Sequence, residues 1–171
     1  MANETIKSFP PLVNPDSEIL FLGSAPSILS RRNNFFYGNP TNRFWWLLSQ
    51  IYQVDFVGVD AAGKTALLQH FKIGLSDVYA SCQMKKANSS LDSNITNYVF
   101  NDILQIIAGT NIKRIYITSK KAYTDFIKHW YNQLPADVTV TCLPSPSSAN
   151  RSVYRTDAEL LTAWRNIIMP Q

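Results

Sequence analysis

Cysteine is nearly absent. Cys82 and Cys142 are the only two, they stand far apart, and His70 and His129 are the only histidines. Two thiols cannot hold a four-thiolate iron–sulfur cluster, and this donor set does not match a structural zinc site. No metal and no cofactor is expected, and the thiols read as inert side chains in a reducing compartment. No apolar run is long enough to cross a membrane, and Met1-Ala-Asn-Glu-Thr-Ile-Lys7 contains no signal-peptide stretch, so a cytoplasmic protein is expected. Internal repeats and low-complexity tracts are also missing. Charge of either sign is modest: charged residues make up 16% against 46% hydrophobic, which excludes a disordered chain, and the net charge is +4. That balance permits a polyanionic partner without requiring one. The 171 residues suit one domain, 1–171, with a full core, and a monomer is the working expectation.

The pattern that is present is an alternation. Ile19–Leu22 is a short apolar run stopped by Gly23, the mark of a strand buried on both faces. A polar and aromatic loop, 24–39, follows. Asn39-Pro40 then matches an N-cap and a first helical proline, leading into Phe44, Leu47, Leu48 and Ile51 at helical spacing. A second helix is expected over 64–71, a strand over 74–80, a loop over 81–92 and a helix over 93–107. A third strand covers 113–118, and Ser119 caps a helix reaching Trp130. The fourth strand is 138–143, and Thr156 to Glu159 forms a capping-box pattern that opens a last helix ending near Ile168. Such alternation predicts an α/β three-layer sandwich around a central, mainly parallel four-stranded sheet.

In sheets of this kind ligands bind beyond the carboxyl ends of the strands. The loops there are rich in Ser and Asn, and they hold Arg31, Arg32, Arg43, Lys85, Lys86, Lys120, Lys121, Arg151 and Arg155, nine of the sixteen Lys and Arg. Basic charge at one end of a sheet suits a phosphate backbone, although exposed loops carry charge in any case.

Gly58-Val-Asp-Ala-Ala-Gly63-Lys64-Thr65 fits the phosphate-loop pattern letter for letter. That reading needs a buried strand before it, and Gln53–Val57 is a poor one. A helix N-terminus with Asp60 near the cap and Lys64 on the solvated face is the plainer expectation.

Ile19-Leu-Phe-Leu-Gly23-Ser24-Ala25-Pro26-Ser27, Phe36-Tyr37-Gly38-Asn39-Pro40-Thr41-Asn42-Arg43-Phe44-Trp45 and Leu143-Pro-Ser145-Pro-Ser147-Ser148-Ala149-Asn150 together resemble the uracil-DNA glycosylase superfamily. Gly74-Leu-Ser-Asp77-Val78 and Ser90-Leu-Asp92-Ser93 resemble its hypoxanthine-DNA glycosylase branch. The resemblance spans about residues 18–168. It implies a hydrolase that cuts the N-glycosidic bond of a damaged base in DNA, with no metal or cofactor.

The resemblance also implies roles. Asn42, before Arg-Phe-Trp, is the candidate catalytic residue. Tyr37 takes the place of the ring that stacks on the base, and Gly23, Ser24, Ala25 and Asn39 surround that base. Ala25 stands where the mismatch-specific branch has Asn, and Asn39 where relatives commonly place His. Ser27, Arg31, Arg32, Ser145, Ser147, Ser148, Asn150 and Arg151 are the candidate DNA-binding residues.

Each residue has a plainer alternative. Asn42 could bond backbone at the helix start, Tyr37 could be core, and the serines could be ordinary loop hydroxyls. Asp92 is expected to cap the helix after it. Arg43, Phe44, Trp45 and Trp46 are expected to pack and support. Besides a glycosylase, a non-catalytic member that only binds DNA or damaged bases stays open, as does a P-loop nucleotide-binding protein.

Overall fold

A computed structural model describes residues 4–170. The chain runs β1 (Thr5–Lys7), β2 (Ile19–Gly23), α1 (Ile28–Asn33), α2 (Phe44–Tyr52), α3 (Ala61–His70), β3 (Ile73–Asp77), β4 (Tyr79–Met84), β5 (Ile95–Phe100), α4 (Ile103–Ile107), β6 (Arg114–Ile117), α5 (Lys120–Trp130), β7 (Thr139–Cys142) and α6 (Asp157–Ile168). Four strands, in the order β3-β2-β6-β7, form a sheet in which every pair is parallel. All five residues of β2 are buried, as its unbroken apolar run predicts for a central strand.

Side chains alternate across β2, and this divides the core. Ile19 and Phe21 join the cluster under α2, α3 and α6, whereas Leu20 and Leu22 join the one under α4, α5 and a second sheet. Phe21 is fully buried, stacked on Trp164 at 6.0 Å and edge-on to Phe44 at 5.5 Å. Removing that ring would cost about 3–5 kcal/mol in lost burial and a cavity. The helix ends follow their signals: Asp60, Ser119 and Thr156 accept backbone N–H groups, and Thr156 with Glu159 completes the capping box.

Several expectations are corrected. The loop 24–39 contains α1, capped by Ser27. Helix α2 begins at Phe44 rather than at Pro40. The Asn39 side chain folds back onto Thr41 N and Oγ at 3.0 and 2.9 Å, which closes a local turn in place of a helical cap. The expected strand 74–80 is two strands in different sheets. The chain turns at Val78, whose N–H donates to the Gly23 carbonyl. The expected helix 93–107 is a 3-10 turn (Asp92–Asn94), strand β5 and the short helix α4. Ile-Thr-Asn-Tyr-Val-Phe is rich in β-branched and aromatic residues, and an antiparallel partner in β4 was available. With β1 it makes a three-stranded sheet, β1-β4-β5.

The phosphate-loop lookalike has no strand before it; residues 53–60 are turns and bends. Lys64 is half-buried rather than solvated. Its Nζ donates to the Val59 carbonyl at 2.6 Å and lies 5.4 Å from the Trp45 ring. Thr65 Oγ1 bonds back to the Ala61 carbonyl, so both groups that would serve a nucleotide and magnesium are turned to the chain itself.

Candidate active site

A cleft of about 340 Å³ opens beyond the carboxyl ends of the parallel strands, where the connections of β2 and β6 diverge. It has the size of a small-molecule site. Asn42, Tyr37, Gly23, Ser24, Ala25 and Asn39 all line it, as do Ser27, Ser145, Ser147 and Asn150. The fold therefore gathers every expected base-contacting residue and part of the expected DNA-contacting set. Arg31, Arg32, Ser148 and Arg151 lie outside that lining.

The floor is built on Gly23. A Cβ there would fall 2.6 Å from Asp77 Oδ1 and 3.4 Å from the Tyr37 hydroxyl, so only glycine lets the acid and the phenol approach. Asp77 is 5% exposed, and its Oδ2 accepts the Ser8 hydroxyl at 2.9 Å. Burial raises its carboxyl to about 7; the Ser8 bond opposes the rise and nearby Asp92 adds to it. Ser24 Oγ donates to Asp92 at 2.6 Å, tying the loop after β2 to the loop after β4. Asp92 thus serves the cleft wall and caps no helix.

Tyr37 stands on a backbone of positive φ, 50°, uncommon for a bulky residue. The turn places its ring on Phe44, centroids 3.8 Å apart and planes 12° from parallel. Its hydroxyl shares a 2.8 Å hydrogen bond with Thr118, and burial pushes the phenol far above its ordinary range. Two covalently distant anchors thus fix a ring that remains partly exposed to the cleft.

Asn42 Oδ1 accepts the Phe44 N–H at 2.9 Å. The same bond orients the amide, so Nδ2 is the donor left without a partner among the described residues. Next to it, Arg43 is 4% exposed and donates to the carbonyls of Pro146, Tyr154 and Ser147 at 3.4, 3.3 and 3.3 Å. Asp157 lies 3.6 Å from Nη1. Burial, with Arg151 close by, depresses its pKa against the pull of Asp157, but a guanidinium stays charged. Arg43 is therefore the bolt between the Asn42 turn and the loop 144–155, in line with its expected supporting role.

In that loop Ser145 Oγ accepts the Ser147 N–H, and Ser147 Oγ accepts the Ala149 N–H, both at 3.2 Å. Each hydroxyl keeps its own proton for a further acceptor. Asn150 Nδ2 holds the Ser145 carbonyl at 3.0 Å, and the Ser148 and Thr41 hydroxyls share a 3.1 Å hydrogen bond. Of the expected cations, Arg31 is paired with Glu4 and Arg151 with Asp157. Arg32 is exposed and forms no ion pair among the described residues.

Sequence reasoning gave no site role to Asp77, Thr118 or Ser119 and counted Lys120 and Lys121 only among the basic residues of the post-strand loops; all five also line the cleft. Asp77 was visible as an acid ending an apolar stretch. The others follow β6, which the strand order sets beside β2. Lys121 is bound to Asp125 at 2.8 Å and lies over the rings of Tyr79 and Tyr98.

Comparison with known proteins agrees with this geometry. The family model described as the uracil DNA glycosylase superfamily matches residues 10–168. A hypoxanthine DNA glycosylase of Methanosarcina barkeri is 34% identical over 118 residues, 68% of this chain and 72% of the relative. One of Methanosarcina acetivorans is 35% identical over 96 residues, 56% of this chain and 59% of the relative. The solution NMR structure of a Methanosarcina acetivorans protein provisionally described as a uracil DNA glycosylase superimposes with a TM-score of 0.75. It shares 28% identity, and the match covers 96% of this chain and 99% of that one.

Proposed function

Because this chain belongs to the uracil DNA glycosylase superfamily, we propose that it hydrolyses the N-glycosidic bond of a deaminated base in DNA, hypoxanthine before uracil. One observation carries the reading: two chain segments remote in sequence bring a stacking ring and an amide donor, from 37–42, and unspent serine hydroxyls, from 145–147, to one cleft.

A base inside a duplex is out of reach, so the nucleotide must rotate out of the stack into the cleft. Tyr37 takes one face of the base. Bond breaking leaves positive charge on the sugar and negative charge on the base. Asn42 holds water through Nδ2, its oriented donor, or steadies the sugar cation through the second lone pair of Oδ1. Ser145 and Ser147 donate to phosphates, which fixes register without reading sequence. Ser24 and Ala25 frame the base from the first loop, and Asn39 supports the turn. Departure of the base to water needs no lysine nucleophile, so the strand stays intact until alkali is added. Base excision repair in a reducing cytoplasm, by a monomer, is the setting this reading supposes; Cys82 and Cys142 are both free thiols. No helix among the described residues is long and apolar enough to cross a membrane.

A second reading, a member that binds damaged DNA without cutting, is favoured by Asn42 Oδ1 already bonding to Phe44 N and by Ala25. Base release from duplexes carrying one hypoxanthine, uracil or xanthine separates the two. Release by the wild type that Asn42→Ala abolishes is the expected result. Binding without release on any lesion selects the second reading.

A further inference from the structure

Outside the cleft, the second sheet carries an exposed aromatic edge. Strand β5 is the last strand of that sheet, and its Tyr98 and Val99 are 37% and 61% exposed. Tyr98 stands edge-on to Phe100 at 5.3 Å. His129, from α5, lies flat on Phe100, centroids 4.3 Å apart and planes 19° from parallel, and is itself exposed. This strip joins the cleft at Lys121, which lines the cleft wall and sets its amine 5.2 Å from the centre of the Tyr98 ring. We propose that the strip is a second DNA-binding surface, on which the bases of single-stranded DNA running out of the cleft stack. The inference goes beyond the glycosylase reading and rests on it only in taking DNA as what enters the cleft.

Three features favour that occupant. The first is charge. Lys120, at the cleft, and Lys128, beside His129, are exposed and form no ion pair among the described residues. The acid between them, Asp125, is answered by Lys121 at 2.8 Å and by the Tyr79 hydroxyl at 2.6 Å. Asp102, just beyond β5, is occupied as the cap of α4. Rings set among cations suit unpaired DNA, because every base offers a flat face and every nucleotide a phosphate. A duplex keeps its bases stacked on one another and presents only sugar and phosphate to such a strip. The second feature is a preset shape. Tyr98 rests on Tyr79 at 4.6 Å, and Tyr79 is fully buried and bonded to Asp125, so the rings need little ordering when DNA arrives. The third is the shape of the edge itself. Asn97 has a positive φ of 47°, and the register between β4 and β5 shifts there. Such a bulge bends the edge and opposes the addition of a strand from a second copy or a peptide. A nucleotide in a single strand also reaches the cleft without the cost of unpairing.

The test measures the affinity of the whole chain for a fluorescent oligothymidylate and for a blunt, undamaged duplex. Neither carries a lesion, so base release does not enter. Tyr98→Ser and His129→Ala should each weaken oligothymidylate binding roughly fivefold or more and leave duplex binding within about twofold. Tyr98→Phe and His129→Phe keep a flat ring and should keep the affinity. Lys128→Ala should reduce the slope of log K against log salt by about 0.7 for the oligothymidylate and leave the duplex slope unchanged. Wild-type oligothymidylate affinity in folded Tyr98→Ser and His129→Ala overturns the proposal. So does an equal loss on both ligands. Self-association of the wild type that these variants abolish, with oligothymidylate binding untouched, makes the strip a contact between copies and also overturns it. If the variants behave as expected but wild type frees no base from damaged duplexes, the glycosylase reading fails while the second DNA surface stands.

Discussion

Tyr37 lies flat on Phe44, ring centroids 3.8 Å apart, and reaches past it to share a hydrogen bond with Thr118. The ring cannot tilt without breaking one contact or the other. A flipped base thus meets a surface already set, at little cost in ordering.

Tyr37→Ala should lower single-turnover base release roughly fivefold to 150-fold, since stacking one base on an aromatic ring is worth about 1–3 kcal/mol. Tyr37→Phe keeps the face and should retain most of the rate, losing only about 1 kcal/mol of stability with the Thr118 bond. Equal loss in both variants would point to the hydroxyl instead of the face.

Arg43→Met should be less stable by at least about 2 kcal/mol. Three carbonyls lose their shared donor, and a monoamine in Arg43→Lys cannot restore a planar fork. Thermal melts of both variants check this.

The pH dependence of stability is set in part by Asp77. Its carboxyl is near 7 folded and near 3.8 unfolded, so the folded state holds the proton longer. Its favourable contribution is complete below the unfolded value and is lost as pH rises toward 7, on the order of 1.4 kcal/mol per pH unit. Asp77→Asn should melt higher than wild type at pH 8, with the gap closing toward pH 4.

Arg32→Ala should weaken binding to damaged and undamaged duplexes alike and reduce the slope of log K against log salt by about 1. Arg151→Ala should change that slope less, because Asp157 already competes for the guanidinium. Titrations at several salt concentrations decide it.

Lys64→Ala should leave base release intact, and magnesium–ATP binding should be absent before and after the change. Its amine serves the Val59 carbonyl, which no phosphate chemistry requires.

The central sheet was legible because β2 and β6 are short apolar runs with clear stops, and a buried parallel strand has few other ways to appear in sequence. The second sheet was not. Ile95–Phe100 follows Ser93-Asn94, which mimics a helix start, and only the presence of β4 alongside turns it to a strand. The cleft was legible where motifs carry it, at Gly23, Tyr37, Asn42 and Ser145. Asp77 was visible in its motif, but its burial beside the cleft was not, because that environment is made by Ser8 and Asp92, residues near in space and remote in the chain. Asn39 misled because an Asn-Pro pair serves a turn as well as a helix cap.

The strap formed by β1 and its continuation reaches Ser8, whose hydroxyl is the hydrogen-bond partner of the Asp77 carboxylate, and Phe9, which edges onto Phe36 at 5.2 Å. Residues that match the family begin at position 10. A fragment trimmed to that boundary would keep every motif and still lose the group that orients the acid at the bottom of the cleft. The stretch of chain that builds the cleft floor is thus longer than the stretch that carries the family match.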